Sequence, residues 1–490
     1  MFFESLILIL DPLLLLTILL GVSLGIIWGA LPGLSTTMAM ALLIGFTSTM
    51  DQNVSICFML GVYTGSVFGG AISAILINIP GTPDAVPTMI EGSALAKKGK
   101  AGSALGTAIF GSFIGNWLGI ILLVFLMPFL ISIALNFKSW EMFLLSMIGI
   151  SVCGTMCSGE LPLKGWIVGW IGIIIAMVGI DPIFGIERFT FNNPNLYDGL
   201  NYVPILIGLF GICEIIKTLP DKNHTPIPKK IGKLFLPLKK LSQYIKPAFR
   251  SGLIGTFIGA IPGAGANVAS FLSYDIGKRR AKLNEKKLWG KGSYEAIVCA
   301  EVANNANIGG SMLPTLALGI PGNAAAAALL AALTMKNVIV GPTIDIDHPG
   351  LVYFIYSSLL IANFFMYLMA IALIKPCIMM FSLSRGLLLP LIIPICVLGA
   401  YSARLNMMDL WVMFFAGIFG YILTLCKYPT APIVLGVILA PMADENLRRS
   451  MMIFSDKGID YYFNQYIGHF LLLAFLFIIF EGLYRTLKKK

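Results

Sequence analysis

The chain has 490 residues, of which 57% are hydrophobic and only 12% are charged, and its formal net charge is +10. A soluble protein carries about a quarter charged residues, so this composition excludes an ordinary soluble domain. Apolar runs of about 20 residues, the length of a membrane-spanning helix, recur from Leu6 to Leu483. Because the strands of a membrane barrel are shorter and alternate in polarity, the sequence predicts an all-α polytopic membrane protein.

The N-terminal segment MFFESLILILDPLLLL has no basic n-region and no small-residue cleavage site, so we interpret it as a retained first helix. Most basic residues are grouped beside apolar segments, in the ranges 97–100, 217–250, 278–291 and 485–490. Cytoplasmic loops of membrane proteins collect Lys and Arg. The positive charge therefore predicts cytoplasmic loops, and a nucleic-acid partner is not expected.

Two pairs of segments indicate an internal duplication. GIIWGALPGLSTTMAMAL (25–42) aligns without a gap to GTFIGAIPGAGANVASFL (255–272), and GGAISAILINIPGTPDAVP (69–87) resembles GGSMLPTLALGIPGNAAAA (309–327). The segment 251–274 has basic residues on both sides. It is therefore predicted to enter from the cytoplasm, turn at its Pro-Gly pair and return, and 25–45 is predicted to form the equivalent re-entrant hairpin.

The charges of the flanking loops predict that the two copies have opposite orientations. Asp51 follows the first hairpin, whereas the basic range 278–291 follows the second. Basic residues 97–100 follow the first IPG block, whereas Asp345 and Asp347 follow the second. A reversed bias at both equivalent places is typical of an inverted-topology repeat with discontinuous helices.

The predicted architecture has about 12 transmembrane helices and two re-entrant hairpins, with both termini in the cytoplasm. The first crossing is expected near 5–22 and a short crossing, broken by Pro432 and Pro441, near 430–442. The predicted regions are a first membrane repeat, 1–216, with a hairpin at 25–45 and a broken helix at 69–95; a basic cytoplasmic loop, 217–250; a second repeat core, 251–375, with a hairpin at 251–274 and a broken helix at 293–335; and C-terminal membrane helices, 376–490.

The Pro-Gly breaks predict a binding site at mid-membrane. A broken helix exposes N–H groups, which attract anions, and carbonyl groups, which can bind Na⁺. The residues predicted to bind substrate lie at the four breaks: Pro32, Gly33, Ser35, Thr36, Thr37, Gly81, Thr82, Gly263, Gly265, Gly322 and Asn323. The predicted coupling-ion residues are Asn78, Asp84, Asn267, Asn304, Asn305 and Asn307, with Na⁺ as one candidate ion.

Simpler interpretations exist for several of these residues. Glycine in membrane helices most often allows close packing, and Thr36 could bond a carbonyl of its own helix. Asp84 could simply cap a helix, and a negative charge beside an anion would be unfavourable unless a cation lay between them. Glu301 could be a structural carboxylate paired with a basic neighbour, or it could have a proton or ion role.

Other function classes lack their sequence signals. The segment GKGSYEA (290–296) is not a phosphate loop, so a nucleotide-driven pump is not expected. His224 and His348 are placed in loops, only His469 borders a helix, and no HExxH motif occurs, so neither an enzyme nor a cofactor is expected. A passive anion channel, or a carrier that needs no binding protein, remains the alternative.

The motifs GALPGLSTTMAM, INIPGTPDAVP, IGAIPGAGANVASFLSYDIGKR, GIPGNAAAALL and APIVLGVILAPMADENLRRS resemble the large membrane subunit of the tripartite tricarboxylate transporter family (TctA type), from about residue 20 to beyond 445. The resemblance implies a multi-pass secondary carrier of the bacterial inner membrane that imports a di- or tricarboxylate such as citrate, driven by Na⁺ or H⁺. It also implies two partners, a small four-helix membrane subunit and a periplasmic substrate-binding protein. A homodimer is among the assemblies that the sequence allows.

Overall fold

The computed structural model describes residues 2–31, 34–157, 161–181, 183–218, 232–381, 385–458, 461 and 465–487. Nearly all of its regular structure is helical, as expected from the long apolar runs. The helices of the first half are α1 Phe2–Ile9, α2 Pro12–Ala30, α3 Thr36–Thr47, α4 Gln52–Ile77, α5 Val86–Lys97 after a 3₁₀ turn Pro83–Ala85, α6 Ala101–Ala134, α7 Ser139–Cys157, α8 Pro162–Ala176, α9 Tyr202–Leu206 with a π segment Ile207–Ile212, and α10 Cys213–Thr218.

The helices of the second half follow the basic loop. They are α11 Leu238–Leu241, α12 Ile245–Gly259, α13 Gly265–Arg280, α14 Leu283–Lys286, α15 Tyr294–Leu318, α16 Ala324–Met335, α17 Ile344–Asp347, α18 Leu351–Ala372, α19 Ile374–Phe381, α20 Arg385–Ser402, α21 Met407–Leu425, α22 Ala431–Lys457 and α23 Tyr466–Leu487. Two short strands, β1 Gly179–Ile180 and β2 Glu187–Arg188, pair antiparallel in the loop after α8.

Within the described residues, six helices are long and apolar enough to cross a membrane: α2, α4, α6, α18, α21 and α23. Helix α4 is the most enclosed, because every residue of its apolar window is buried within the bundle. By contrast, α23 is mostly exposed, and its outer face carries Phe470, Phe477 and Phe480. These features confirm an all-α membrane protein.

Equivalent helices of the two copies pack in equivalent ways. Helix α2 runs alongside α4 in the same direction, and α12 runs alongside α15 in the same direction. In both pairs glycines let the two backbones approach closely. The contacts are Gly21 with Phe58, Gly29 with Ser66, Gly255 with Ala303, and Gly259 with Asn307. The helix after the second break of each copy then packs on the other copy, α6 on α15 and α18 on α4.

Equivalent helices of the two copies, α4 with α15 and α6 with α18, also begin at opposite ends of the bundle. At one end, here called the basic end, Lys98 Nζ donates a 2.6 Å hydrogen bond to the carbonyl of Lys291, which joins the starts of α6 and α15. At the other end, here called the acidic end, Asn53 and Gly350 line one cavity, which joins the starts of α4 and α18. Which end faces the cytoplasm stays a prediction.

The N-terminal path differs from the expected one. The crossing expected at 5–22 is instead α2 (Pro12–Ala30), which also forms the first arm of the hairpin expected at 25–45. Asp11 starts this helix, because its carboxylate accepts the Leu13 N–H at 2.8 Å and Pro12 follows at the first helical position. Helix α1 has eight residues, about 12 Å, and is too short to cross.

The first and last described helices, α1 and α23, lie towards opposite ends of the bundle, and the cytoplasmic placement of both termini stays a prediction. Glu4 of α1 lines the acidic-end cavity with Asn53. Helix α6 runs away from the basic end, α7 returns, and α23 runs parallel to α7, since Gly468 contacts Trp140 and Gly482 contacts Pro162. Helix α23 therefore ends towards the basic end.

The crossing expected at 430–442 is also different. Helix α22 continues from Ala431 to Lys457, with Pro432 in its first turn and Pro441 inside it. A proline at the first turn costs no hydrogen bond, so Pro432 begins the helix rather than breaking it. In the later part of α22, Arg448 forms an ion pair with Asp181 of the loop after α8. Arg448 also forms an ion pair with Asp444 of its own helix at 2.9 Å.

Candidate functional site

Four helix starts face one cavity of about 370 Å³ in the interior of the bundle. They are the starts of α3, α13 and α16 and the 3₁₀ turn before α5, and each directly follows one of the Pro-Gly breaks. The predicted site residues that line this cavity are Ser35, Thr36, Thr37, Asp84, Gly263, Gly265, Asn267, Asn304, Asn307 and Asn323. The duplicated breaks are therefore close together in space.

Two of these helix starts are fixed by side-chain caps. Ser35 Oγ accepts the Met38 N–H at 3.1 Å at the start of α3. Asn323 Oδ1 accepts the Ala326 N–H at 2.8 Å at the start of α16. Such caps satisfy one of the free N–H groups of a helix start and leave others available. The polar atoms of Ser35 and Asn323 are thus partly used in building the site.

The tip of the second hairpin is held by glycine backbone. Gly263 and Gly265 have φ angles of +78° and +70°, which side chains disfavour. The Gly263 N–H donates a 2.9 Å hydrogen bond to the Gly322 carbonyl. This bond joins the hairpin tip to the break before α16, so two of the four breaks are directly connected.

A buried polar network lines one wall of the cavity. Asn323 Nδ2 lies 3.0 Å from Asn307 Oδ1 and 2.9 Å from the Tyr63 hydroxyl, which is 3.0 Å from Ser311 Oγ. Tyr63 was not predicted from the sequence. Its signal is a single phenol within the small and apolar residues of α4, where a buried hydroxyl needs partners.

Several buried polar atoms at this site have no hydrogen-bond partner among the residues that the structure describes. They are Thr36 Oγ1, Asp84 Oδ2, and both side-chain polar atoms of Asn304. Asn304 is 1% exposed, and Thr82 and Asn304 lie beside the Asp84 carboxylate. Unsatisfied buried polar groups are costly, so their concentration here is the pattern expected of a ligand site.

The charges around the cavity are few. Asp84 is its one lining carboxylate, and no Lys, Arg or His lines it among the described residues. Positive potential at this depth can come from helix N-termini, each equivalent to about half a unit charge. An anion could therefore be held by the helix starts, and a cation would be favoured next to Asp84.

Other predicted site residues lie outside the cavity lining. Gly81 and Gly322 pack at helix crossings, where an added Cβ would collide with the carbonyl oxygens of Gly29 and Gly259 respectively. Thr82 is buried beside Gly70.

Asn78 ends α4 in the left-handed conformation with φ +56°. Asn305 is bonded to Ser112 at 2.8 Å. Pro32 and Gly33 fall outside the described residues.

Residues outside the two predicted hairpins and the two predicted broken helices complete the lining. Pro429, Thr430 and Ala431, at the start of α22, face the cavity together with Cys153 of α7 and Phe210 of the π segment. The sequence analysis did not include them. The Pro-Thr-Ala-Pro run of residues 429–432, a helix start within an apolar region, is the signal that could have identified the α22 contribution.

The fold and cavity define a class: a polytopic helical membrane protein whose duplicated halves meet at broken helices around a polar interior site. The chain belongs to the family described as the tripartite tricarboxylate transporter TctA family, which it matches over residues 15–435. It is therefore the membrane component of a tripartite tricarboxylate transporter, and this membership implies further subunits and a binding protein.

Two relatives from Agrobacterium vitis are similar to this chain. One, described as an uncharacterized 52.8 kDa protein in the TAR-I ttuC' 3' region, is 33% identical over 446 residues, covering 91% of this chain and 88% of the relative. The other, an uncharacterized protein in the TAR-II ttuC' 3' region, is 33% identical over 199 residues, covering 41% of this chain and 81% of the relative. No solved structure matches the chain.

Proposed function

We propose that this protein is the translocating subunit of a secondary active transporter that imports a di- or tricarboxylate across the bacterial inner membrane. The import would be driven by Na⁺ or H⁺, with a periplasmic binding protein delivering the substrate and a small four-helix membrane subunit completing the complex. The observation that carries this proposal is the interior cavity, where four helix starts meet buried polar atoms that lack partners.

The chemistry of the lining supports a substrate that travels with a cation. The free N–H groups at the starts of α3 and α16 suit carboxylate oxygens. Asp84 would repel such a substrate if it carried an uncompensated charge. A Na⁺ bound by Asp84 and Asn304, or a proton on Asp84, would remove this repulsion, so the anion and the cation would favour each other's binding.

The cavity lining reduces the number of residues that we propose for the coupling ion. Asp84, Asn304, Asn307 and Asn267 reach the cavity, so they remain our candidates. Asn78 and Asn305 do not line it, and a role for them would be indirect.

The test is uptake by the complete three-component complex in proteoliposomes, with citrate, succinate and an aromatic dicarboxylate as probes. We expect accumulation of at least one probe under a Na⁺ or pH gradient, and little accumulation without the binding protein. The Thr36→Val and Asn304→Ala variants should reduce this uptake. If no probe accumulates under either gradient, or if both variants match the wild type, the proposal is wrong.

A passive anion channel is the competing function. A carrier exchanges labelled for unlabelled substrate across the membrane without net flow, whereas a channel dissipates a gradient and cannot produce counterflow. Transient accumulation of labelled citrate in vesicles preloaded with unlabelled citrate would therefore favour the carrier. Its absence, combined with rapid dissipative efflux, would favour the channel.

A further inference from the structure

A second buried carboxylate, Glu301, lies beside the cavity but does not line it. It is fully buried in α15, seven residues after the helix start, which places it about 10 Å from the basic end. One turn further along the same helix, Asn304 reaches the cavity. Glu301 therefore stands between the cavity and the basic end of the bundle.

The closest partners of the Glu301 carboxylate are two hydroxyl groups, and the Asn305 amide nitrogen lies farther away, 3.5 Å from Glu301 Oε2. Thr88 Oγ1 donates to Glu301 Oε1 at 2.6 Å, and Ser112 Oγ donates to Oε2 at 3.0 Å. The Asn305 amide bonds both Ser112 Oγ, at 2.8 Å, and the Glu301 backbone carbonyl, at 3.0 Å. No ion pair to Glu301 occurs within the described part of the chain, so a basic partner, one of the two interpretations left open by the sequence, is not found there.

Hydroxyl partners suit both protonation states of a carboxyl group. A hydroxyl can donate to a carboxylate, and after rotation it can accept from a protonated carboxyl. A backbone N–H can only donate, so it favours the charged form alone. Glu301 can therefore gain and lose a proton without leaving either state unsatisfied.

Glu91 provides the contrast within the same region. It lies on α5, three residues after Thr88, and is also fully buried. Its carboxylate accepts the N–H groups of Gly290, Gly292 and Ser293 and the hydroxyl of Tyr274 at 2.5 to 2.9 Å. Three fixed N–H donors therefore give Glu91 a structural role, joining α5 to the segment before α15.

Apart from Glu91, the other buried carboxylates of the described residues lie in a loop or, like Glu141, in the first turn of a helix. Asp409 is paired with Arg404 at 2.7 Å, and Asp181 with Arg448. Glu295, near the start of α15, faces Arg250 and Lys282 electrostatically. Glu301 and Asp84 thus differ from these groups, because each lies deep in the bundle without a cation.

The charged and titratable groups on the helices around Glu301 supply no counter-charge. Asp84, in the 3₁₀ turn, interacts electrostatically with Glu301, and two neighbouring buried carboxylates cannot both stay charged at low cost. Helix α16 has no charged side chain, and α6 faces Glu301 with Ser112. Several other ionisable groups on these helices bond elsewhere: Tyr63 of α4 bonds Ser311 and Asn323, Arg250 of α12 bonds Cys299, and Tyr274 and Asp275 of α13 bond Glu91 and Arg279.

We propose that Glu301 is a proton-carrying site of this protein, coupled to the occupancy of the neighbouring cavity through the Asp84 and Thr88 segment. The step is one proton taken up by the Glu301 carboxylate, with the new O–H donating to the Thr88 or Ser112 hydroxyl, and its later release towards the basic end. The transport part of this inference rests on the proposed carrier function, and it names a proton as one of the coupled ions.

The first arm of the test needs no substrate. Infrared difference spectra between acidic and alkaline pH, recorded on the full chain in lipid vesicles, report carboxyl groups that gain a proton. We expect a band of a buried protonated carboxyl that disappears in Glu301→Gln and persists in Glu91→Gln, the matched control. Persistence of the band in a folded Glu301→Gln protein would overturn the proposal, as would its complete absence from the wild type.

The second arm uses the complete complex and the probe that gives the strongest uptake. Glu301→Gln should reduce pH-gradient-driven accumulation by about tenfold, within the usual range of coupling between two ligands, while counterflow continues. Unchanged pH-driven accumulation would overturn the proposal but leave the carrier function standing. If the wild-type complex transports nothing, the carrier function fails, and the infrared arm still decides whether Glu301 binds a proton.

A third variant covers a folding failure. Glu301→Asp keeps a carboxyl group at the same position, and size-exclusion chromatography shows whether each variant is folded. If the band belongs to residue 301, its frequency should change in Glu301→Asp. An unchanged band in that variant would overturn the assignment even if Glu301→Gln could not be purified.

Discussion

Two adjacent asparagines of α15 differ in their hydrogen bonds. Substitution of one is therefore expected to affect ligand binding, and substitution of the other is expected to affect stability. The Asn304 side chain has no hydrogen-bond partner among the described residues, whereas Asn305 bonds Ser112 and the Glu301 carbonyl. Asn305→Ala should therefore lower the free energy of unfolding by about 1–3 kcal/mol, because it leaves polar partners unsatisfied.

Asn304→Ala should change the stability by less than about 0.5 kcal/mol, yet reduce uptake by at least about tenfold, because each lost bond to a charged ligand costs about 1.5–3 kcal/mol. Thermal unfolding in detergent and proteoliposome uptake measure the two effects. A variant pair in which Asn304→Ala is the less stable protein would contradict the assignment of Asn304 to the site.

Asp181, in the loop after α8, predicts a pH dependence of stability. Burial alone would raise its pKa, but the N–H groups of Ile183 and Phe184 and the guanidinium of Arg448 outweigh burial and lower the pKa of this carboxyl below its ordinary value. A lowered pKa in the folded state stabilises the protein above the ordinary value, about 3.9, and this stabilisation is lost as the pH falls through the lowered pKa.

The Asp181→Asn variant should therefore be less stable than the wild type at pH 7. The difference should shrink when both proteins are melted at a pH below the ordinary Asp value. A stability difference between Asp181→Asn and the wild type that stays constant with pH would contradict the proposed role of the carboxylate.

At the scale of helices, Gly81 and Gly322 show that duplicated motifs serve packing as well as binding. A Cβ on either residue would collide with the carbonyl oxygen of a glycine in the first helix of its own repeat, Gly29 or Gly259. Gly81→Ala and Gly322→Ala should each destabilise the fold by about 1–3 kcal/mol, the usual cost of overpacking a core.

Gly341→Ala is the matched control, because Gly341 has no neighbour within 4 Å of an added Cβ and its φ is not positive. Thermal unfolding of the three variants in one detergent tests the comparison. If Gly341→Ala were as destabilised as the other two variants, the close helix crossings would not explain the destabilisation caused by Gly81→Ala and Gly322→Ala.

Much of this packing core could be predicted from the sequence. The aligned segments around residues 25–42 and 255–272 contain the breaks between α2 and α3 and between α12 and α13, and the IPG blocks precede the starts of α5 and α16. Helix propensity and caps explain this success, since Asn323 before a run of alanines is a strong local signal. The segment before residue 25 was less predictable, because an apolar run of nearly 40 residues contains no charge that marks where one helix ends.

The residues that line the candidate site could be predicted from the sequence mainly where the internal repeat indicated a break. Thr36 and Asn323 stand at the duplicated breaks and Asn304 lies in the helix before one of them, whereas Tyr63 and Thr430 contribute from helices whose contacts depend on the complete fold. The hydrogen bonds of Asn305 could not be read from the sequence either. Three asparagines in the run EVANNANIGG are chemically alike, and only the helical phase decides which faces the cavity.

At the scale of the whole molecule, the two copies form one interlocked body rather than two adjoining domains. Helix α6 of the first copy packs on α15 of the second, and α18 of the second packs on α4 of the first. The remaining helices, among them α7, α8, α22 and α23, pack together beside this core. The cavity lies where these two groups meet, since Thr430 and Cys153 face Thr36 and Asn304 across it. A relative movement of the two groups would change the cavity directly, which suits alternating access.

The positions of α1 and of the end of α23 predict that these two helix ends lie on opposite sides of the membrane. The loop charges, in contrast, predicted both termini on the cytoplasmic side. Single cysteines replacing Glu4, Asn53 and Glu285 test these two predictions in intact cells, in a Cys426→Ser background because Cys426 is exposed. Glu4 and Asn53 lie at the acidic end, whereas Glu285 lies in the short helix α14, between α13 and α15 and next to the basic end. Lys-rich and Arg-rich loops face the cytoplasm, so a membrane-impermeant maleimide should label positions 4 and 53 without prior lysis and position 285 only after it. Labelling of positions 4 and 285 from the same side would contradict the short N-terminal helix, and labelling of 53 and 285 from the same side would contradict the inverted repeat itself.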